Sequence, residues 1–280
     1  MNICLYKTTN LAQCPDHLAS GINKYSEHRA VVSQNTSIGD FVHFNNNFVF
    51  TRTPSLMHYH SEPWRVLLNY KGFKVVNPQY HATLPEYQDC MPSKWMFMDL
   101  EDKQLYSQKI IDSRIKVGYS PSTLEGVDTY DKGVKVTTAV LKKLKEKFPE
   151  DFDFDIIYNV SFEECMSRKA NCNIIIDECV TDSFHMSSFE GLGLGKLVIC
   201  SMSSQISNNL LKISGASTNP IRNVYIKDLE NFLENLVVTN QLQEVLIEGA
   251  KNRTWAEQYS GPQGIVNYWI DIYTTIYSQY

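Results

Sequence analysis

The sequence DECVTDSFHMSSFEGLGLGKLVIC, residues 177–200, contains in order the end of an apolar strand, a polar loop, a helix and a second apolar strand. Two acids, Asp182 and Glu190, flank the start of the helix, where Ser187 and Ser188 can act as caps. The first backbone N–H groups of such a helix have no partners within it, so this end attracts an anion. Glu190 is then placed to hold the two hydroxyls of a ribose. The stretch therefore predicts a site for a phosphorylated sugar or a nucleotide.

Strand and helix candidates alternate along the whole chain. Helical periodicity fits residues 15–27, 131–148 and 261–280, and less clearly residues 63–70. Such alternation predicts α/β domains in which a parallel sheet carries helices on both faces, with ligands bound beyond the carboxyl ends of the strands. Short apolar runs typical of strands occur at residues 2–6, 30–32, 40–44, 56–59 and 73–76 in the first half, and at 114–119, 154–158, 173–177, 197–200 and 223–226 in the second.

Length and composition limit the class of protein. At 280 residues the chain exceeds the usual size of one hydrophobic core, so we expect two domains. No apolar run approaches the ~20 residues that span a bilayer, and the start, MNICLYKTTN, lacks the blocks of a signal peptide, which predicts a cytoplasmic protein. Seven scattered cysteines without a C-x-x-C pair argue against a disulfide framework or a zinc site. A net charge of −5 does not favour binding to nucleic acid.

The spacing of the two acids also carries a family resemblance. Asp182, seven intervening residues, Glu190 and the following GLGLGKLVI resemble the E-x7-E donor-site motif of retaining glycosyltransferases of the two-domain GT-B fold. The resemblance implies that Asp182 orients the donor sugar and that Glu190 binds the ribose. This sequence departs from the family at three positions, with Asp182 in place of Glu, Gly191 in place of Ala and Leu197 in place of Pro.

The resemblance extends to the start of the second α/β series. The segments GYSPS, residues 118–122, and DKG, residues 131–133, are similar to the first strand of the donor domain and to the "KG" helix start of these enzymes. The Lys of that motif contacts the donor diphosphate, which makes Lys132 the corresponding candidate, although a Lys at a helix start is otherwise usually a solvated charge. An Arg commonly follows the glycine of the first strand. Tyr119 stands there in this chain, so the second phosphate-binding cation is missing or comes from elsewhere.

Two histidines are candidates for an active-site group in the first half. DFVHFN, residues 40–45, resembles a strand end of the same enzymes, and HYHSEP, residues 58–63, resembles the loop that carries their interdomain histidine. His60 is therefore the first candidate for a catalytic group that faces the sugar, and His43 is the alternative. A neutral imidazole can hydrogen-bond a sugar hydroxyl or exchange a proton near neutral pH.

The resemblance implies a fold of GT-B type, with two Rossmann-like domains and a cleft between them. We assign residues 1–107 to an N-terminal, acceptor-side domain and residues 108–260 to a C-terminal nucleotide-sugar donor domain, with a linker near residues 101–108. Residues 261–280 carry apolar and aromatic side chains at steps of three and four, which predicts an amphipathic helix. In GT-B enzymes a terminal helix returns to the N-terminal domain, and this segment suits that role.

The function that follows is a hexosyl- or pentosyltransferase that moves a sugar from a nucleotide-diphosphate sugar, such as a UDP-sugar, to an acceptor hydroxyl, with retention implied by the resemblance. We expect no metal and no further cofactor, because no D-x-D stands at the end of an N-terminal strand. The acids at 151, 153 and 155 instead precede and enter a strand of the second half, where they suggest a solvated acidic turn. The helix start with Ser187 and Ser188, together with Lys132, would instead stabilise the leaving diphosphate.

The acceptor and the oligomeric state cannot be read from the sequence. The compact length resembles glycosyltransferases encoded by large DNA phages, some of which modify hydroxymethylated bases, so the acceptor is either such a base or a cell-surface glycan. A phage-encoded protein would act in the host cytoplasm. Two alternatives share the diphosphate pocket: a non-catalytic nucleotide-sugar-binding protein and a sugar-nucleotide epimerase on the same fold.

Overall fold

Two parallel sheets form the framework of the chain. The structure is a computed structural model, and it describes residues 1–6, 14–45, 51, 53–59, 70, 72–79, 84–87, 89–94, 98–107, 113–121, 124 and 133–280. Contacts within the chain divide it into two units. Unit 1 comprises Met1–Asp99, Lys212–Gly215 and Tyr259–Tyr280, and unit 2 comprises Leu100–Leu211 and Ala216–Gln258.

Unit 1 is built on a six-stranded sheet of order β2-β1-β3-β4-β5-β6, in which every neighbouring pair is parallel. Helix α1 (Cys14–Tyr25) connects the first two strands and packs against β2. The strands are β1 (Asn2–Tyr6), β2 (Arg29–Ser33), β3 (Phe41–Asn45), β4 (Ser55–Tyr59), β5 (Phe73–Val76) and β6 (Met91–Pro92).

Unit 2 is built on a five-stranded parallel sheet of order β11-β10-β9-β7-β8. Its strands are β7 (Ile115–Tyr119), β8 (Phe152–Ile156), β9 (Ile174–Glu178), β10 (Leu197–Cys200) and β11 (Arg222–Asn223). The helices of the second half of the chain are α2 (Val134–Lys147), α3 (Phe162–Ala170), α4 (Met186–Gly193), α5 (Ser204–Ser214), α6 (Leu229–Val238), α7 (Leu242–Ser260) and α8 (Pro262–Tyr277).

The predicted α/β class, with two Rossmann-like parallel sheets, is confirmed. Every predicted strand corresponds to a strand of the structure. These strands were recognisable because a parallel strand covered on both faces is a continuous apolar run, as in β9. The strand predicted at 154–158 lies two residues earlier, where acids at 153 and 155 alternate with buried or half-buried residues along an edge strand. The proposed acidic turn was therefore wrong for Asp153, whereas Asp155 lies in a strand as predicted. Strand β6 was not predicted, and residues 63–69 of the proposed helix lie outside the described residues.

The strand order of unit 2 creates a switch point beside β7. The chain leaves β7 for β8 on one side and later returns to β9 on the other side. Connections at the carboxyl ends of β7 and β9 therefore run in opposite directions and open a crevice between them, which is where ligands bind in open α/β sheets. The stretch 177–200 begins at this crevice.

Helix α8 belongs to unit 1, where a buried pair of histidines fixes it to the sheet. The Nδ1 atom of His43 lies 2.6 Å from the Tyr273 hydroxyl, and its Nε2 atom lies 3.1 Å from Nδ1 of His58. The Nε2 atom of His58 lies 2.8 Å from Oδ1 of Asn77. Since that oxygen only accepts, each neutral imidazole donates from Nε2 and the Tyr273 hydroxyl donates to His43. Trp269 covers both rings, at centroid distances of 5.1 and 5.2 Å.

Both histidines are held in the neutral form. Burial lowers the pKa of His58 to about 3, and burial together with the neighbouring His58 lowers the pKa of His43 well below its ordinary value. Both side chains are fully buried, so protonation would place a charge inside the core. In an unfolded chain each histidine binds a proton at about pH 6.5.

The first prediction is that unit 1 loses stability on acidification. Between about pH 6.5 and pH 3 the unfolded chain binds protons that the folded histidines do not, so the free energy of unfolding falls as the pH falls, by up to ~1.4 kcal/mol per pH unit for each histidine. Urea unfolding between pH 8 and pH 5, followed by tryptophan fluorescence, measures this slope.

A variant with His43→Gln and His58→Gln should show a smaller slope than the wild type. His28→Gln, which changes a half-buried histidine outside the pair, serves as the control. An equal slope in the double variant and the wild type would contradict the assignment.

Candidate functional site

A buried carboxylate, that of Glu178, shapes the loop after β9. Its Oε2 atom accepts hydrogen bonds from the backbone N–H groups of Val180 and Thr181, each at 2.7 Å, and its Oε1 atom accepts one from the Thr181 hydroxyl at 2.8 Å. The side chain is fully buried. A carboxylate is costly to bury unless such donors surround it, so the loop folds around Glu178.

The neighbouring carboxylate, that of Asp177, caps helix α4. Its Oδ2 atom accepts from the N–H of His185 at 2.6 Å, from the N–H of Ser188 at 3.2 Å and from the Ser188 hydroxyl at 2.6 Å. The helix begins at Met186, and its N-cap residue, His185, makes no side-chain cap. The prediction that Ser187 and Ser188 cap the helix is therefore wrong. Both lie in its first turn, and Asp177 reaches the helix start from the end of β9.

The start of α4 retains two open donors. No described residue accepts a hydrogen bond from the backbone N–H groups of Met186 and Ser187, and both residues are partly exposed. Ser188 is fully buried and its hydroxyl is committed to Asp177. The open N–H groups carry the positive end of the helix dipole, so an anion bound there would complete the helix start.

Four side chains meet beside this helix start. Lys169, at the end of α3, places its Nζ atom 2.5 Å from Oε2 of Glu190 and 2.9 Å from Oγ of Ser187. The Ser187 hydroxyl also lies 3.2 Å from that of Ser120, which directly follows β7. The crevice between β7 and β9 therefore brings together an acid, a cation and two hydroxyls.

The Lys169–Glu190 ion pair is almost dry. Only 2% of the Lys169 side chain and 13% of the Glu190 side chain are exposed. Burial acts to lower the pKa of Lys169, but the charge of Glu190 outweighs it, so the pKa stays above its ordinary value. The ion pair therefore favours the ammonium form of Lys169.

Asp182 lies in the loop that precedes α4, in a left-handed backbone conformation with φ of 58°. Its N–H donates to the Ser201 hydroxyl at 3.2 Å, and its exposed side chain hydrogen-bonds the phenol of Tyr225. Burial and the Asp182 carboxylate raise the pKa of Tyr225. Asp is one of the few non-glycine residues that tolerate this conformation, so Asp182 fits this position of the loop.

Of the other predicted site residues, His60 and Lys132 lie outside the described residues. The adjacent Gly133 is described and has φ of 73°. An added Cβ there would lie 2.7 Å from Cγ2 of Val180, so the start of α2 packs on the loop that Glu178 organises. The alternative histidine, His43, is fully buried, with both ring nitrogens engaged as described above.

Gly191, which stands where the E-x7-E motif usually has Ala, has a packing reason. A Cβ at this position would lie 2.8 Å from Cγ2 of Val198 and 3.2 Å from Cβ of Ile175. Helix α4 therefore sits closer to β9 and β10 than an alanine would allow without movement of these side chains.

Sequence reasoning missed three residues of the site: Lys169, Asp177 and Glu178. The two adjacent acids at the end of an apolar run were a usable signal, because acids at the carboxyl end of a buried parallel strand need donors from the following loop. Lys169 gave no signal, since a lysine in the last turn of a helix usually lies in solvent. Among the described residues, no group of three or more His, Cys, Asp or Glu side chains is placed to hold a metal ion. In the same part of the chain, no helix is long and apolar enough to cross a membrane.

Comparison with known proteins identifies the fold. No protein-family model matches the sequence, and no curated protein is significantly similar to it. Solved structures that share its architecture include sucrose-phosphate synthase of Thermosynechococcus elongatus (TM-score 0.66, 10% identity, 100% of both chains) and HepE of Anabaena in complex with UDP and glucose (TM-score 0.63, 11% identity, 98% of this chain and 100% of that one). A glycosyltransferase of Rickettsia africae is also similar (TM-score 0.60, 14% identity, 98% of each chain). The chain has the GT-B glycosyltransferase fold.

The second prediction concerns the Lys169–Glu190 ion pair of unit 2. The change Glu190→Gln leaves the Lys169 ammonium buried without a counter-charge, which should lower the free energy of unfolding by about 3–5 kcal/mol. Chemical denaturation of the purified variant measures this loss.

The matched control is Glu230→Gln. Glu230 pairs with Lys143 at 2.6 Å, but the two side chains are 33% and 63% exposed, so the loss should stay within about 1 kcal/mol. Equal losses in the two variants would show that the Lys169–Glu190 pair is no more important than a surface pair.

Proposed function

We propose that this protein is a glycosyltransferase that moves a sugar from a nucleotide-diphosphate sugar to an acceptor hydroxyl. The observation that carries the proposal is the pairing of two open backbone donors at the start of α4 with an acid, Glu190, at the switch point of unit 2. An anion site and a hydroxyl acceptor side by side match the diphosphate and the ribose of such a donor. HepE, which has the same fold, binds UDP and glucose, and this supports the proposal.

Each residue has one role in this proposal. The N–H groups of Met186 and Ser187 bind a diphosphate oxygen, and Glu190 accepts from the ribose. Asp182, one loop earlier in the chain, orients the sugar. Donors that are already in place stabilise the charge that develops on the leaving diphosphate, since they need not reorganise during the reaction. Ser188 contributes through Asp177, which fixes the helix start.

Several finer parts of the proposal rest on the family resemblance. They are the diphosphate contact of Lys132, the role of His60 at the sugar, retention of configuration, independence of metal ions, and the division into acceptor-side and donor domains. A hydroxymethylated base of DNA and a cell-surface glycan both remain acceptor candidates, and a cytoplasmic site of action belongs to the same proposal. A base in DNA would have to leave its stack to reach the site.

The third prediction is the direct test of function. Purified protein incubated with a panel of nucleotide sugars should be thermally stabilised by its donor, because a ligand that binds only the folded state raises its stability. Mass spectrometry should then detect nucleoside diphosphate released either by hydrolysis of the donor or by transfer of its sugar to an added acceptor extract. The release should persist when a chelator is present in excess.

Three outcomes would count against the proposal. Stabilisation without turnover would indicate a binding protein, and conversion of the sugar while still attached to the nucleotide would indicate an epimerase. Loss of activity with chelator and its recovery with manganese would overturn the metal-independent mechanism.

The fourth prediction separates sugar contact from nucleotide contact. Asp182→Asn should lower turnover by roughly tenfold or more, a loss of at least about 1.4 kcal/mol of transition-state stabilisation, and should leave the affinity for the free nucleoside diphosphate nearly unchanged. The free diphosphate lacks the sugar that Asp182 is proposed to touch. Steady-state kinetics and calorimetry measure the two effects.

Asp151→Asn is the control. Asp151 is an exposed acid that directly precedes the edge strand β8, so it lies at the amino end of that strand, whereas Asp182 follows the carboxyl end of β9. If turnover of the Asp182 variant stayed within a factor of two of the control, Asp182 would have no role at the sugar.

A further inference from the structure

Lys169 is a lysine whose charge is buried in the folded protein. It lies in the last turn of α3, where a lysine side chain normally extends into solvent, yet its side chain is 2% exposed. Its neighbour Arg168 follows the usual pattern and pairs with Asp155 on the edge strand β8. Lys169 instead points its ammonium at Glu190 and Ser187. It is too deeply buried to be a direct ligand contact, so any role in the site acts through those two residues.

The first effect of Lys169 is on the geometry of Glu190. The ammonium holds Oε2 of the carboxylate at 2.5 Å, and no described residue donates to Oε1. A carboxylate fixed by one oxygen presents the other as an oriented acceptor, ready for a hydroxyl proton. Without Lys169 the Glu190 side chain could take other rotamers. Fixing one of them when the ligand binds would then cost conformational entropy and weaken binding.

The second effect of Lys169 is on the direction of the Ser187 hydroxyl. An ammonium can only donate, so Oγ of Ser187 accepts from Lys169 at 2.9 Å, and the single Ser187 proton points elsewhere. Its available acceptors are the Ser120 hydroxyl, 3.2 Å away, and any anion at the helix start. With Lys169 donating to its oxygen, the Ser187 hydroxyl can serve as a third donor beside the open N–H groups of Met186 and Ser187.

The third effect is on charge. A carboxylate next to an anion site repels a diphosphate, and this repulsion is strong where water is excluded. The Lys169 ammonium cancels the charge of Glu190, so the pair as a whole is neutral. The pair therefore exerts less repulsion on the phosphates than the Glu190 carboxylate would exert alone.

We propose that Lys169 is a positioning residue. By holding one oxygen of Glu190 it orients the other towards the ribose hydroxyls that Glu190 is proposed to bind, and so sets how strongly the site prefers a ribonucleotide to its 2′-deoxy analogue. This inference rests on the proposed function, which assigns the ribose contact to Glu190, and adds the residue that positions that contact. A site built to bond a hydroxyl discriminates against an analogue that lacks it, because its buried acceptor is left unpaired.

The experiment compares matched nucleotide pairs. Calorimetry measures the affinity of the purified protein for UDP, GDP and ADP and for their 2′-deoxy analogues. The nucleotide that binds best should bind about 10- to 100-fold more tightly than its 2′-deoxy analogue, as expected for the loss of a hydrogen bond to a charged group. In Lys169→Met this ratio should fall towards one. In Lys143→Met, which breaks an exposed ion pair, the ratio should be unchanged.

A second variant covers the case in which Lys169→Met fails to fold. The double change Lys169→Met and Glu190→Gln removes both buried charges together, which restores neutrality, and it should fold while still lacking the preference for ribose. A purely structural role of Lys169 would alter stability but not the ratio of the two affinities.

The outcomes separate the inference from the proposed function. Wild-type protein that binds none of the six nucleotides would overturn the proposed function and the inference with it. Wild-type protein that binds a nucleotide and its 2′-deoxy analogue equally would overturn the inference alone. A ratio that survives in Lys169→Met, or in the double variant, would show that Lys169 does not position the ribose acceptor.

Discussion

The need to satisfy two adjacent buried carboxylates, Asp177 and Glu178, is the constraint on which the rest of the candidate site depends. Each lies at the carboxyl end of β9, where the backbone turns away from the sheet and its N–H groups lose their strand partners. Glu178 collects donors from the loop, and Asp177 collects donors from the start of α4. The strand end, the loop and the helix therefore form one hydrogen-bonded block. Asp182 and Glu190 take their positions from this block.

The same block explains how a helix start stays open for an anion. At this helix start Asp177 accepts from the N–H groups of His185 and Ser188. The two N–H groups between them, those of Met186 and Ser187, are left for a ligand. Lys169 completes the arrangement from a different helix by balancing the charge of Glu190. In the proposed function, the anion contact at the helix start and the hydroxyl contact at Glu190 can therefore lie side by side with less repulsion from Glu190.

The fold is shared with solved proteins at only 10–14% identity. A parallel sheet tolerates such divergence, because its strands require apolar runs and its helices require an apolar face, and many sequences satisfy both. Positions with a specific geometric demand are fewer. Two glycines are examples. Gly133 adopts a left-handed backbone conformation with φ of 73°, and a Cβ at Gly191 would lie 2.8 Å from Cγ2 of Val198. Backbone conformation and packing, not polarity, restrict which residue can occupy these two positions.

The sequence by itself determined the α/β class, nearly every strand, the amphipathic α8 and the spacing of Asp182 and Glu190, because these depend on periodicity and on neighbours along the chain. It did not reveal that Asp177 caps α4 or that His43 pairs with His58 and Tyr273, since these partners meet only after folding, across 11, 15 and 230 positions. Lys169 is the clearest case. In the sequence it is an ordinary lysine at a helix end, and only the folded chain brings its ammonium beside Glu190 and Ser187 of α4 and buries it in the candidate site.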